Sequence, residues 1–144
     1  MKLVAVYGGH TDDVEVIAPH PYRSALEARD GEALAATLRP DVTFHTPAFD
    51  EPVRGREKVL ALFAVLATVF ENPEVTDELS GDGSHAIVFR LAVNGHPIEG
   101  VDHLELDEEG LVRRVTVTMR PLASVQVLAE RMAETHASLT AGES

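Results

Sequence analysis

Residues 85–93 read His85-Ala86-Ile87-Val88-Phe89-Arg90-Leu91-Ala92-Val93, and Asn94-Gly95 separates them from a second alternating run at 96–106. Asn-Gly supplies two residues that tolerate positive φ, as a type I′ turn requires, so this stretch predicts a β-hairpin. A further run at 74–80 ends in Gly81-Asp82-Gly83, and another at 111–120 follows the acidic turn Asp107-Glu108-Glu109-Gly110. Four strands with turns between them predict an antiparallel meander.

Alternation assigns each strand a face. Ile87, Phe89, Leu91 and Val93 share one side, with Val88, Arg90 and Ala92 opposite. Leu111, Val115, Val117 and Met119 oppose Arg114, Thr116, Thr118 and Arg120. In the third strand the inward set is Ile98, Gly100, Asp102, Leu104 and Leu106. Asp102 is therefore a carboxyl group on an apolar face. An unpaired buried carboxylate costs several kcal/mol, so the group must find donors or take up a proton.

Upstream of the meander, Pro19-His20-Pro21 starts a helix with Tyr22, Ala25, Leu26 and Arg29 at helical spacing, and Asp30-Gly31 interrupts it. A short helix from Glu32 carries Ala33, Leu34, Thr37 and Leu38 on one side and stops at Arg39-Pro40. Val42-Thr43-Phe44-His45-Thr46 alternates as a strand, and residues 55–70 are apolar round most of a helix, which predicts burial on two sides. Residues 122–139 place Leu122, Val125, Leu128, Ala129 and Met132 on one helical stripe. The fold class is α+β: a cone-shaped, curved antiparallel sheet wrapped around N-terminal helices, with a C-terminal helix. Residues 1–18 form an N-terminal segment, either loose or an added strand; 19–121 make the domain and 122–144 its C-terminal helix and tail.

The chain has 144 residues and a formal charge of −12, with 44% apolar and 25% charged residues and no cysteine. Burying about two thirds of the surface is within reach at this size, which fits one domain. Without cysteine there is no disulfide scaffold, thiol nucleophile or thiolate metal site. The acidic balance and scattered Lys and Arg predict neither nucleic-acid nor membrane partners. The run Leu3-Val4-Ala5-Val6-Tyr7 is too short for a signal or a span, so the expected location is cytoplasmic. None of the seven histidines forms an HxH or HxxxH pair, and no metal or cofactor is expected.

The order helix, helix, strand, long helix, meander, with Leu26-Glu27-Ala28-Arg29-Asp30-Gly31-Glu32-Ala33-Leu34, Pro40-Asp41-Val42-Thr43-Phe44, Arg54-Gly55-Arg56-Glu57 and Asp102 to Gly110, resembles the nuclear-transport-factor-2-like superfamily, in particular its SnoaL-like and ketosteroid-isomerase-like branches. On the isomerase pattern, the resemblance implies that Tyr22 stands at the oxyanion-hole tyrosine and Asp102 at the protonated aspartic acid, an arrangement known for keeping an acid neutral in an apolar site. It also puts Thr46 where the family keeps its catalytic carboxylate, and a threonine hydroxyl does not take a carbon acid's proton at neutral pH. In SnoaL-like cyclases an inward Asp serves as acid and base, which needs only Asp102.

The leading expectation is a pocket for a small apolar, carbonyl-bearing ligand with cyclase-like or isomerase-like acid/base chemistry. Asp102 and Tyr22 are the catalytic candidates, with Phe44, Thr46, Phe63, Phe89, Leu91, Leu104, Val117 and Met119 as lining. The alternative is a non-enzymatic homodimeric module with a packed interior. Val88 and Ala92 among Arg90, Thr116, Thr118 and His103 make the outer face semi-apolar, and the resemblance likewise implies a homodimer through it. A third reading, epoxide-hydrolase chemistry, needs an inward Asp–Arg–Asp relay, and Arg90 is phased outward.

Overall fold

The computed structural model describes residues 19–141, so the expectations for 1–18 and for the last tail residues lie outside the described residues. Helix α1 (Pro21–Ala28) begins on proline, whose φ is already helical, and ends at Arg29 with φ 54°. Asp30 then caps α2 (Gly31–Ala35), its Oδ1 accepting the Ala33 N–H at 3.1 Å. Thr37 and Leu38, expected on this helix, fall beyond it. Arg39 precedes Pro40, a position that avoids helical backbone, and Leu38 beside it opens strand β1 (Leu38–His45), where it pairs with Val112. Pro40 is exposed and sits where the ladder is interrupted between Leu38 and Thr43, so its missing N–H breaks no pairing.

Strand β2 (Val53–Arg54) lies between the strand expected at 42–46 and the helix expected over 55–70, and pairs with Phe44 and Thr43. Helix α3 (Arg56–Val69) buries Val59, Leu62 and Val69 and half-buries Leu60, Phe63, Val65 and Leu66. Ala61, Ala64 and Ala67 are exposed, so the helix has one covered side rather than two. Alanine counts as apolar in a pattern but has little side chain to bury. The meander follows as β3 (Glu71–Gly81), β4 (Ser84–Val93), β5 (His96–Leu106) and β6 (Val112–Arg120). Helix α4 (Leu122–Ala141) closes the chain. Its buried stripe is Val125, Leu128 and Met132. Leu122, expected on that stripe, is 73% exposed in the first turn.

The curved sheet has six strands in the order β2-β1-β6-β5-β4-β3. It is mixed rather than wholly antiparallel, because β1 runs parallel to β6. The inward phase holds through β4 and β5. In β6 it shifts: Glu105 pairs with Arg114 but Leu106 pairs with Val112, so Arg113 is the extra residue of a bulge. Val112 consequently takes the buried place expected for Leu111, whose N–H goes to Asp107 Oδ1 at 2.9 Å. Among the described residues, no helix is long and apolar enough to cross a membrane.

Gly100 pairs with Phe89 on one side and Met119 on the other. A Cβ at this position would overlap the Phe89 ring and approach the Thr118 carbonyl oxygen to 2.8 Å. Only glycine lets that ring lie across β5. The ring can move, but the carbonyl belongs to the adjacent ladder and cannot retreat without loosening it. Gly100→Ala is therefore expected to destabilise the fold by about 1–3 kcal/mol, as overpacking does, read as a lower urea midpoint with unchanged slope.

Candidate functional site

The inner face of the sheet and the helices enclose a cavity of about 470 Å³. Its walls come from both ends of the chain: Tyr22 and Leu26 of α1, Phe44 of β1 and Thr46 just after it, Phe63 and Leu66 of α3, Ile87, Phe89 and Leu91 of β4, Val117 and Met119 of β6, and Leu128 of α4. Phe63 stands edge-on to both Tyr22 and Phe44, with ring centroids 6.1 and 5.1 Å apart. The exposed Glu27, Arg29 and Glu74 mark the opening. Glu27 pairs with Arg23 and Glu74 with Arg90, whereas Arg29 has no ion-pair partner among the described residues.

Asp102 projects into this cavity from β5. Its cross-strand neighbours are Ile87 and Val117, both buried, so the sheet offers the carboxyl no donor on either side. It borders the empty volume and keeps some accessibility, but its surroundings are protein. Burial pushes its carboxyl up from 3.8 to about 7. Tyr22, fully buried on α1, presents a hydroxyl with no hydrogen-bond partner among the described residues. Burial and then the charge of Asp102 hold its phenol well above the usual range. A buried phenolic O–H ordinarily finds an acceptor, and here the cavity is where one would come from.

The cavity lining includes Phe44, Thr46, Phe63, Phe89, Leu91, Val117 and Met119 together with Tyr22 and Asp102. Leu104, expected with them, is not part of it. Its register neighbours are His85 and Val115, both nearly inaccessible, and side chains fill that end of the face. The Thr46 hydroxyl accepts the Ala48 N–H at 3.3 Å, a turn contact. Asp50 and Glu51 on the following loop are exposed and outside the lining, so no second carboxylate replaces a base at that end. Arg90 is exposed on its ion pair with Glu74 at 3.7 Å, and the inward Asp–Arg–Asp relay is not assembled. His45 bonds Thr43 Oγ1 at 3.1 Å and His103 bonds Ser84 Oγ at 3.0 Å, neither in the lining.

Residues 21–115 match the SnoaL-like domain. The chain belongs to the SnoaL-like family. Within the nuclear-transport-factor-2-like folds, this SnoaL-like chain is similar to a steroid delta-isomerase from Pseudomonas aeruginosa, at 29% identity and TM-score 0.76 over 83% of this chain and 89% of that one. It is also similar to a protein with a cystatin-like fold from Silicibacter pomeroyi, at 26% identity and TM-score 0.75 over 80% and 82%. An NTF-2 like protein from Burkholderia xenovorans shares the fold at 21% identity and TM-score 0.60, covering 74% and 86%. No curated protein matches the chain.

The raised Asp102 carboxyl makes the SnoaL-like domain pH-sensitive in a defined direction. The native state holds this proton up to about pH 7 while the unfolded chain releases it near 3.8. The folded state thus binds more protons between those values, and stability falls as pH rises through the window. At about 1.4 kcal/mol per unit, the span amounts to at most about 4 kcal/mol. Asp102→Asn removes the penalty, so its stability relative to wild type should rise between pH 4 and pH 8 in urea titrations. A difference independent of pH contradicts the burial of this group.

Proposed function

We propose that the cavity binds a small, apolar, carbonyl-bearing molecule and that Asp102 and Tyr22 act on it in an isomerisation or an intramolecular aldol closure. The observation that carries this reading is a buried phenol and a desolvated carboxyl, neither with a hydrogen-bond partner among the described residues, both lining one apolar cavity. A ligand oxygen entering there is the acceptor the phenol lacks. With its carboxyl near 7, Asp102 has both protonation states available at neutral pH. Ionised Asp102 removes the proton from the carbon beside the carbonyl, the electron pair moves onto the oxygen, and Tyr22 donates to that oxygen. The same carboxyl then returns its proton to carbon, so the step needs one carboxyl group and one phenol. The likeness to a steroid delta-isomerase supports a ligand of this chemistry.

The open cavity weighs against an interior filled by side chains, the arrangement a purely structural module requires. Homodimerisation is a separate part of the proposal. Val88 and Val101 are cross-strand partners on the outer face, with Thr118 beside Val101, and neither valine is fully covered within one chain. Sheet-to-sheet packing of two copies would cover them. Light scattering coupled to size exclusion should then give twice the 15.6 kDa chain mass, and a monomer at working concentrations rejects the pairing.

An enolate mimic tests the site. 2-Naphthol offers an apolar body and one oxygen, and its fluorescence reports binding. Wild type should bind it with a Kd in the range of about 10–100 µM, and Tyr22→Phe and Asp102→Ala should each weaken binding about tenfold, the scale of one hydrogen bond to a charged or developing oxyanion. Absence of binding by the folded wild type at millimolar naphthol overturns the proposal, as does equal affinity in all three proteins.

A further inference from the structure

A second buried polar cluster joins the start of α1 to the meander, and none of its members lines the cavity. Its hub is Glu78 on β3, whose side chain is 5% exposed. One carboxylate oxygen accepts the His20 backbone N–H at 2.8 Å and the Nε2–H of His85 from β4. The other accepts Arg23 Nη1 of α1 at 2.8 Å. Burial works to raise the Glu78 carboxyl, but Arg23, the His20 amide and His85 outweigh it and hold it below its ordinary value.

His20 uses both ring nitrogens. Nε2 donates to the Gly110 carbonyl in the β5–β6 turn at 3.2 Å, which leaves Nδ1 as the acceptor of the Tyr22 backbone N–H at 3.0 Å. That second bond is the N-cap of α1. The cap therefore rests on an unprotonated nitrogen of the residue two before the phenol-bearing one. The charged and titratable groups around this ring are Glu78 from β3, His85 from β4 with centroids 5.3 Å apart, and Arg23 from α1 itself. In the β5–β6 turn, Asp107 is turned to the Glu109 and Leu111 amides and to Arg39.

We propose that His20 is a positioning residue for Tyr22: its neutral ring seats the first turn of α1 so that the phenol meets the cavity, and protonation at Nδ1 unseats it. A protonated Nδ1 confronts the Tyr22 N–H donor against donor and places positive charge at the positive end of a helix. Burial, against a smaller opposing pull from the Gly110 carbonyl, holds the His20 imidazole below its ordinary value, so the neutral form is the resting one at pH 7. The folded state thus disfavours this proton, and its contribution is present above the ordinary histidine value and lost as pH falls below it. The assignment gains its catalytic meaning from the proposed role of Tyr22, but the placement of the phenol is measurable without any ligand.

The chain contains two tyrosines, so tyrosine labelled with ¹³C at Cζ gives two signals, and Tyr22→Phe assigns them. The comparison is made in an Asp102→Asn background, which removes the neighbouring titration. With His20 present, the Tyr22 signal should move on acidification from pH 7.5 to 4.5; with His20→Asn it should stay fixed, because an asparagine oxygen caps the same amide without titrating. His20→Ser, another good cap, takes its place if the asparagine variant does not fold. In parallel, 2-naphthol affinity in the same background should fall about fivefold over that interval with His20 and stay level with His20→Asn, a cap being worth roughly that factor. The same acid transition in the His20 variants overturns the proposal, as does a Tyr22 signal that never moves. A histidine-dependent Tyr22 transition, together with a wild-type protein that binds no naphthol, upholds the positioning role and rejects the ligand reading instead.

Discussion

Parallel pairing of β1 with β6 obliges the chain to travel out through α3 and the whole meander before the ladder can close, since parallel neighbours need a long crossover. The register Leu38↔Val112 and Phe44↔Val115 is where that crossover is fixed. Two contacts outside the ladder strengthen it: Thr37 accepts the Val112 N–H at 2.8 Å, and Arg56 at the start of α3 reaches the Leu38 carbonyl at 3.4 Å. With β1 locked there, α1 and α3 have nowhere to lie except against the inward side of the meander. Tyr22 from one end of the chain and Asp102 from the other then share a cavity. Neither residue's environment exists until this long-range pair has formed.

That arrangement leaves an acid where the fold would be more stable without one. Ile87 and Val117 beside Asp102 are the neighbours a core residue would have, and a hydrophobic side chain at position 102 would fit the same pattern. Sites that do chemistry commonly carry a local cost of this kind, and stabilising replacements there tend to remove activity. The unsatisfied Tyr22 hydroxyl is a second cost in the same cavity. Two uncompensated groups lining one apolar cavity are harder to account for as packing than as a recognition site.

Much of this was readable from alternation alone. The period-two pattern around Asn94-Gly95 sets the phase of β4 and β5, and with it the inward placement of Asp102, because a one-residue slip would turn every apolar side chain to solvent. Alternation fails at Arg113, since a bulge inserts a residue without a mark in the sequence. It also overreaches at Leu104, because phase tells which face a side chain occupies but not where along that face the packing gives way to space. Helical spacing fails at Leu38 for a different reason: five residues of α2 are too few to show a period, and the strand's partner lies in β6, far along the chain. The cluster on Glu78 left no signal at all. Its members come from α1, β3, β4 and a turn, and hydrogen-bond direction among them is a property of the assembled fold.

Strand β3 forms one border of the sheet, and its partner ladder to β4 slips at two places, between Glu71 and Glu74 and between Val75 and Asp77. Pro73 lies within the first of these, and Glu71, Glu74 and Asp77 are exposed along the strand. A border so kinked and so negatively charged is a poor template for another strand. At the opposite border β2 has only two residues. Part of the chain's acidity thus acquires a mechanical meaning: exposed carboxylates along the open rim disfavour lengthening of the sheet by a strand from another copy.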